Sequence, residues 1–323
     1  MTLPSVTKTY QYNVGQAITA QGTALATNRR ILRTIKNTLI GFGTLPWAVR
    51  YSCDSVTAGT AGDVTDRWAA DSNLVWASSG SAHSWMVLRQ TGIATNFELC
   101  LSCENASASG SNMTIVVSPT AAFTGGSTTA RPTATDEIAL ISNSAWGAVG
   151  SSDANAKIQV MQSTDGQVTR VIVHVGGVAR TYWAFTKPAT NISGWTNPAV
   201  SLALGSASSN VITYTNLSST ANGKGRVGST TVSFYMTGEG FNGSMLGQNL
   251  NFAGDISGNY PIAPIGYASL TTSNRDRYGT ASDLWWGADT VAEGTTYPND
   301  ATRLFAQFGV LIFPWDASVV VTS

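Results

Sequence analysis

The chain has 323 residues, of which 11% are Asp, Glu, Lys or Arg, against about 25% in an ordinary soluble domain. Its 18 basic and 18 acidic side chains cancel, which argues against a general nucleic-acid coat, where a basic balance is expected. A hydrophobic share of 43%, with 10 Trp, 10 Tyr and 10 Phe, excludes intrinsic disorder and supplies material for a large core.

The first residues, Met1 to Val6, hold no basic region followed by an apolar core, so no secretory signal is expected there. No run approaches the ~18 apolar residues of a membrane helix, and no membrane partner is expected. One helix is predicted over Arg29–Ile40, with Asn28 as its N-cap and Gly41 just past its end. At about 100° per residue, Ile31, Leu32, Ile35 and Leu39 form one apolar stripe. Arg29, Arg30, Arg33 and Lys36 fall on the other side. That basic face reads either as a solvated surface or as a docking surface for an acidic partner or phosphate. We take these four residues as a candidate assembly interface.

From Leu45 onward the pattern is that of strands. Short apolar, aromatic and β-branched runs at Trp47–Tyr51, Asn73–Ala77, Ser84–Arg89, Phe97–Cys103 and Met113–Val117 are separated by Gly, Asn, Asp and Ser. Residues 119–135 are rich in Thr, Ala, Gly and Pro, and read as a loop crossing the surface or as a linker. Three further strands, Lys157–Gln162, Val168–Val175 and Val178–Phe185, form a predicted meander. Asp165-Gly166 and Gly176-Gly177 supply the positive φ of its two tight turns. Later candidates are Val200–Leu204, Val211–Tyr214, Thr230–Met236, Leu304–Phe313 and Ser318–Thr322. Residues 216–229 and 253–302 lack periodicity and read as long loops. The expected fold is mainly β, a sandwich-like or multi-sheet body with one short N-terminal helix and long loops. Residues 1–44 would form an arm plus the helix and 45–323 the β-rich body, divisible only at the loop 119–136.

Catalytic patterns are thin. Three cysteines, Cys53, Cys100 and Cys103, are an odd number for a disulfide framework and fit a reducing compartment. Cys100-Leu101-Ser102-Cys103 matches C-x-x-C, but on a strand pattern rather than a helix N-terminus, and a fourth metal ligand is missing. Buried packing thiols are expected, with no metal and no cofactor. His83 lies in sequence near Ser81, Ser84 and Asp71, a coincidence expected where about a quarter of residues are Ser or Thr. His174 reads as a strand histidine. The acids are sparse, Asp63 with Asp66, Asp136 with Glu137, Asp283 with Asp289, and Asp300 on its own, and Asp283-Leu284-Trp285-Trp286 sets an acid near aromatics as a sugar site would. Gly238–Gly243 matches G-x-G-x-x-G but is not followed by a helical pattern, so it reads as a β-loop. With only five lysines, a stacking groove for nucleic acid is not expected.

Several segments carry a resemblance. Asn37–Trp47, Ser84–Gly92, Phe123–Glu137 and Leu284–Val291 resemble stretches of uncharacterised virion structural proteins of tailed bacteriophages. The resemblance spans most of the chain from about residue 37 and carries no catalytic motif. It implies a non-enzymatic structural component of a tailed-phage particle, in capsid, neck, tail or baseplate. Such a chain is made in the bacterial cytoplasm and acts by assembling with copies of itself and other virion proteins. Low charge and many aromatics agree, because interfaces are depleted in Lys and Glu and enriched in aromatics. The alternative is a phage-fibre module that recognises a host surface glycan, or a weak glycosidase.

Overall fold

The computed structural model describes residues 8–14, 24–76, 80–92, 97–107, 110–118, 121–135, 137–141, 156–175, 178–186, 199–205, 224–227, 230–236, 262–268, 277–287, 295–300, 303–308 and 311–315. In chain order the elements are β1 (Tyr10–Val14), α1 (Ala24–Ile40), β2 (Trp47–Asp54), a 3-10 turn (Asp71–Asn73), β3 (Ser84–Gln90), β4 (Glu98–Ser107), β5 (Gly110–Ser118) and β6 (Ile138–Ile141). There follow β7 (Ala156–Ser163), β8 (Val168–Val175), β9 (Val178–Thr186), β10 (Ala199–Gly205), β11 (Lys224–Val227) and β12 (Thr230–Met236). The last are β13 (Ile262–Ala268), β14 (Arg277–Gly287), β15 (Thr295–Asp300), β16 (Arg303–Phe308) and β17 (Leu311–Trp315). The fold is mainly β: two antiparallel sheets and, among the described residues, a single α-helix.

The five-stranded sheet runs in the order β2-β3-β4-β5-β6. Strand side chains alternate between faces, and here both faces are apolar. Met86, Leu88, Leu99, Leu101, Ile115 and Val117 line the inner face, in one cluster with Ile31, Leu32, Ile35 and Leu39 of the helix. Ile158, Val160 and Val171, from β7 and β8, complete that cluster, so the helix and both sheets share one core. Trp85, Val87, Cys100 and Val116 point to the outer face and pack with Tyr51, Cys53 and Phe123. A register shift between Val49 and Tyr51 inserts Arg50 as an extra residue. It explains why Trp47 belongs to the inner cluster while Tyr51 and Cys53 belong to the outer one.

Residues 121–135 form a strap over that outer face. Thr124 pairs with Thr133 and Ser127 with Ala130, a miniature ladder of its own. Phe123 is buried beneath it, and the Trp85 indole donates to the Ser127 carbonyl at 2.7 Å. Gly126 lies so close that an added Cβ would meet the Trp85 ring at 2.8 Å, on a backbone of φ +102. The segment therefore runs over the surface as a packed loop.

The larger sheet has twelve strands in the order β1-β7-β8-β9-β10-β11-β12-β13-β14-β17-β16-β15. The expected meander is present as β7, β8 and β9. Gly166 has φ +71 in its first turn, and the Asp165 carboxylate accepts from the Ser163 hydroxyl and the Gln167 amide. Several expectations are corrected. Residues 253–302 contain β13, β14 and β15, and 216–229 contains β11. Leu304–Phe313 is a hairpin of β16 and β17 rather than one strand. Of the expected strand Asn73–Ala77, residues 73–76 form none, since Asn73 ends the 3-10 turn, and Ala77 lies outside the described residues. The helix starts at Ala24, so Asn28 lies inside it, buried, rather than at its cap. Strand β1 occupies part of the expected arm. Val211–Tyr214, Ser318–Thr322 and Gly238–Gly243 lie outside the described residues.

Candidate functional site

The basic side of the helix faces its own chain. Arg30 Nε donates to Asp71 Oδ2 at 3.0 Å, and Arg33 Nη1 to Asp71 Oδ1 at 3.1 Å. Arg33 also donates to the carbonyls of Trp68 and Ala69. Lys36, 1% exposed, donates to Asp66 Oδ2 at 2.6 Å and to the Trp68 carbonyl at 3.1 Å. Arg29 Nε is buried and has no hydrogen-bond partner among the described residues. Of the four residues singled out by sequence, three thus dock the 66–71 segment of the same chain onto the helix. These acidic and carbonyl partners lie in the same chain, and the side opposite the apolar stripe is covered in part: Lys36 is buried, while the Arg30 and Arg33 side chains stay 41% and 32% exposed. The loop is itself prepared for this. Asp66 Oδ1 accepts from the Trp68 amide, and the Trp68 indole donates to the Cys53 carbonyl.

A second charged centre, missed by sequence reasoning, lies on the outer face of the five-stranded sheet. Glu98 is fully buried. Its Oε1 receives Arg89 Nε at 2.7 Å and Nη2 at 2.6 Å. Its Oε2 receives Arg50 Nη1 at 3.0 Å and the Phe123 amide at 2.7 Å. Arg50 also donates to the Phe123 carbonyl at 2.6 Å and lies over the Tyr51 ring at 5.2 Å. One carboxylate therefore joins β2, β3, β4 and the start of the strap. Burial pushes the Tyr51 phenol upward, with Arg50 opposing and Cys100 and Glu98 reinforcing. The only local hint in the sequence was Arg89 and Glu98 flanking a hairpin.

The other candidates are placed as follows. His83 Nδ1 meets the Ser81 carbonyl at 3.1 Å, while Ser84 Oγ donates to the Asn73 carbonyl and Asp71 is taken by the two arginines. The Ser, His and Asp near one another in sequence are thus not assembled into a relay. Cys53, Cys100 and Cys103 are all buried. Cys53 and Cys100 sit in the outer cluster and Cys103 in the inner one, because residues three apart on a strand point to opposite faces. Burial raises the Cys53 thiol above its ordinary value. All three are expected to resist a thiol reagent in the native chain and react together on unfolding, and each change to Ala should cost about 1–3 kcal/mol. One tightly bound zinc per chain would contradict this. His174 lies in β8, paired with Ala179 across the hairpin to β9.

Among the acids, Asp63 is held at about 2 by hydrogen bonds from Thr65 and Arg67. Asp66 holds Lys36, and Glu137 holds Arg131 with both oxygens. Asp136 and Asp289 lie outside the described residues. Asp283 is 3% exposed and sits on β14 with φ +49, where the register to β13 slips. Its Oδ2 accepts from the Tyr10 hydroxyl at 2.8 Å and the Lys8 amide at 3.0 Å. Lys8 Nζ reaches Asp165 at 2.6 Å, and the Arg170 guanidinium lies 5.5 Å from the Tyr10 ring centre. Burial works to raise the Asp165 carboxyl, but hydrogen bonds from Lys8, Ser163 and Gln167 outweigh it and hold it below the usual range. Burial drives the Tyr10 phenol upward against Arg170. The acid beside Trp285 and Trp286 therefore ties β14 to the N-terminal strand. No protein-family model matches the chain, and no curated protein matches it in sequence. Among the described residues, no helix is long and apolar enough to cross a membrane.

Proposed function

We propose that this chain is a non-enzymatic structural component of a tailed-phage particle, working through protein–protein assembly. The observation that supports this reading most is the use made of the candidate reactive groups. Asp66, Asp71 and Glu98 are each committed to ion pairs that hold the chain's own loops. Such groups act as fixed braces, which suits a building block whose work is to keep a shape. The resemblance of Asn37–Trp47, Ser84–Gly92 and Phe123–Glu137 to virion structural proteins points the same way. Of these, Ser84–Gly92 contains the buried strand β3, and Phe123–Glu137 contains most of the strap.

A chain with 11% charged residues has little to keep copies apart. Sedimentation velocity of the purified protein at micromolar concentration should give a discrete multi-copy species. A compact monomer that binds neither itself nor particle proteins would contradict the proposal.

A further inference from the structure

We propose that strand β1 is exchanged between copies of this chain, so that residues 8–14 of one copy pair with β7 of a second. The inference rests on the assembly reading above and names the segment that joins one copy to the next.

Strand β1 stands at one end of the twelve-stranded order and covers the edge of β7. The two strands are held in different ways. Ile158, Gln159, Val160, Met161, Gln162 and Ser163 of β7 are all buried, and Ile158 and Val160 belong to the inner core. Tyr10, Gln11, Tyr12 and Asn13 of β1 are each half-buried and belong to neither core cluster. Beyond the ladder, β1 is held by discrete polar ties. Lys8 Nζ meets Asp165, while the Lys8 amide and the Tyr10 hydroxyl donate to Asp283. Gln11 bonds both the carbonyl and the amide of Thr44, and Asn13 Nδ2 donates to the Thr38 carbonyl at 2.9 Å. Such a strand leaves without opening the apolar core, and each tie is remade when it seats in another copy.

The edge it covers selects the occupant. An uncovered β7 presents a row of unpaired backbone groups, which is a template for another strand. Around that edge Asp165, Asp283 and the backbone of Thr38 and Thr44 are spaced for a lysine, a tyrosine, a glutamine and an asparagine in this order and register. Residues 8–14 meet that requirement, and a second copy supplies the same residues. Exchange keeps the bonding of the closed chain, which makes it a low-cost route to dimers.

The connection is long enough for the crossing. Asn13 lies beside Thr38, near the end of α1, whereas the chain enters α1 at Ala24, about 21 Å back at 1.5 Å per residue. Nine residues, 15–23, join the two, with two glycines, no proline and no charge. Extended, they reach about 30 Å, which suffices to close on their own copy or to cross to an adjacent one.

The test places cysteines across the β1–β7 register, Tyr12→Cys on one chain and Met161→Cys on another, co-expressed and mildly oxidised. Antiparallel partners lie within disulfide reach. With partners assorting at random, about half of the chains should run as a covalent dimer on a non-reducing gel, against a background set by the parent and by each single variant alone. Circular dichroism checks folding, and Asn13→Cys with Val160→Cys, one register step along, answers the same question if Met161→Cys does not fold. No dimer from the co-expressed chains, with a double variant that cross-links only within itself, overturns the exchange; a parent that is still multi-copy then leaves the assembly reading standing. A monomeric parent removes the exchange and, if it also fails to bind particle proteins, the assembly reading as well.

Discussion

Replacing Glu98 by alanine is expected to cost about 3–5 kcal/mol, the range seen when one partner of a buried ion pair is removed. The carboxylate is fully buried, and three groups turn to it: Arg50, Arg89 and the Phe123 amide. Without it, the Phe123 amide loses its acceptor in a buried position. Arg50, whose side chain is 16% exposed, is left with the Phe123 carbonyl and the Tyr51 face. Arg89, at 38%, can turn to water and should contribute less of the loss. Glu98→Gln should fall between, because it keeps the shape and loses the charge. Urea unfolding would give the magnitude, and hydrogen exchange the location, with residues 121–135 losing protection before the inner core does. An alanine variant within 1 kcal/mol of the parent would mean that the strap is held by Phe123 and Trp85 packing alone.

The second large effect is expected at Lys36. Changing it to glutamate places a carboxylate where the ammonium now meets Asp66 and the Trp68 carbonyl, in a site 1% exposed. An unpaired buried charge beside a like charge should cost more than about 4 kcal/mol. Lys36→Met should cost far less, about 1 kcal/mol, because the stem is replaced and Asp66, 39% exposed, is left to water. Reversing Arg30 and Arg33 to Glu follows the same logic more weakly. Both meet Asp71, and both are partly exposed, so about 1–3 kcal/mol is expected. Thermal unfolding of the three variants ranks them. Charge reversal at Arg30 and Arg33 that leaves stability untouched would show that the 66–71 segment does not depend on the helix in solution.

The helix illustrates how far periodicity reaches. The stripe of Ile31, Leu32, Ile35 and Leu39 was legible, and all four are fully buried. What covers the opposite side was not, because Asp66, Trp68 and Asp71 lie 30 or more residues further along the chain. Lys36 also stands only about 40° from Leu32 around the helix, at the border of the stripe rather than opposite it. The start was misread because Asn28 has the chemistry of a cap, yet Ala24–Thr27 extend the helix before it.

Strands divide in the same way. Strands β7 and β8 were legible from alternation and the Asp165-Gly166 turn, both local signals. Strand β1 was not, since Tyr10–Val14 is short and its partner, Gln159–Ser163, lies far along the chain. Strands β13 to β15 were hidden by Pro264, Gly266 and Pro298 and by register shifts that break the period of two. Glu98 was hidden for a further reason. A carboxylate in an apolar strand is neutral information until the arginines that meet it are known, and Arg50 reaches it from another strand.

The most direct measurement on the assembly reading is an electron cryo-microscopy reconstruction of the species purified at micromolar concentration. It should show several copies in fixed register. The Glu98 brace and the helix-to-Asp71 contacts should lie within each copy. A lone chain that neither self-associates nor binds particle proteins, or an open groove at Asp283 occupied by a sugar, would contradict the account.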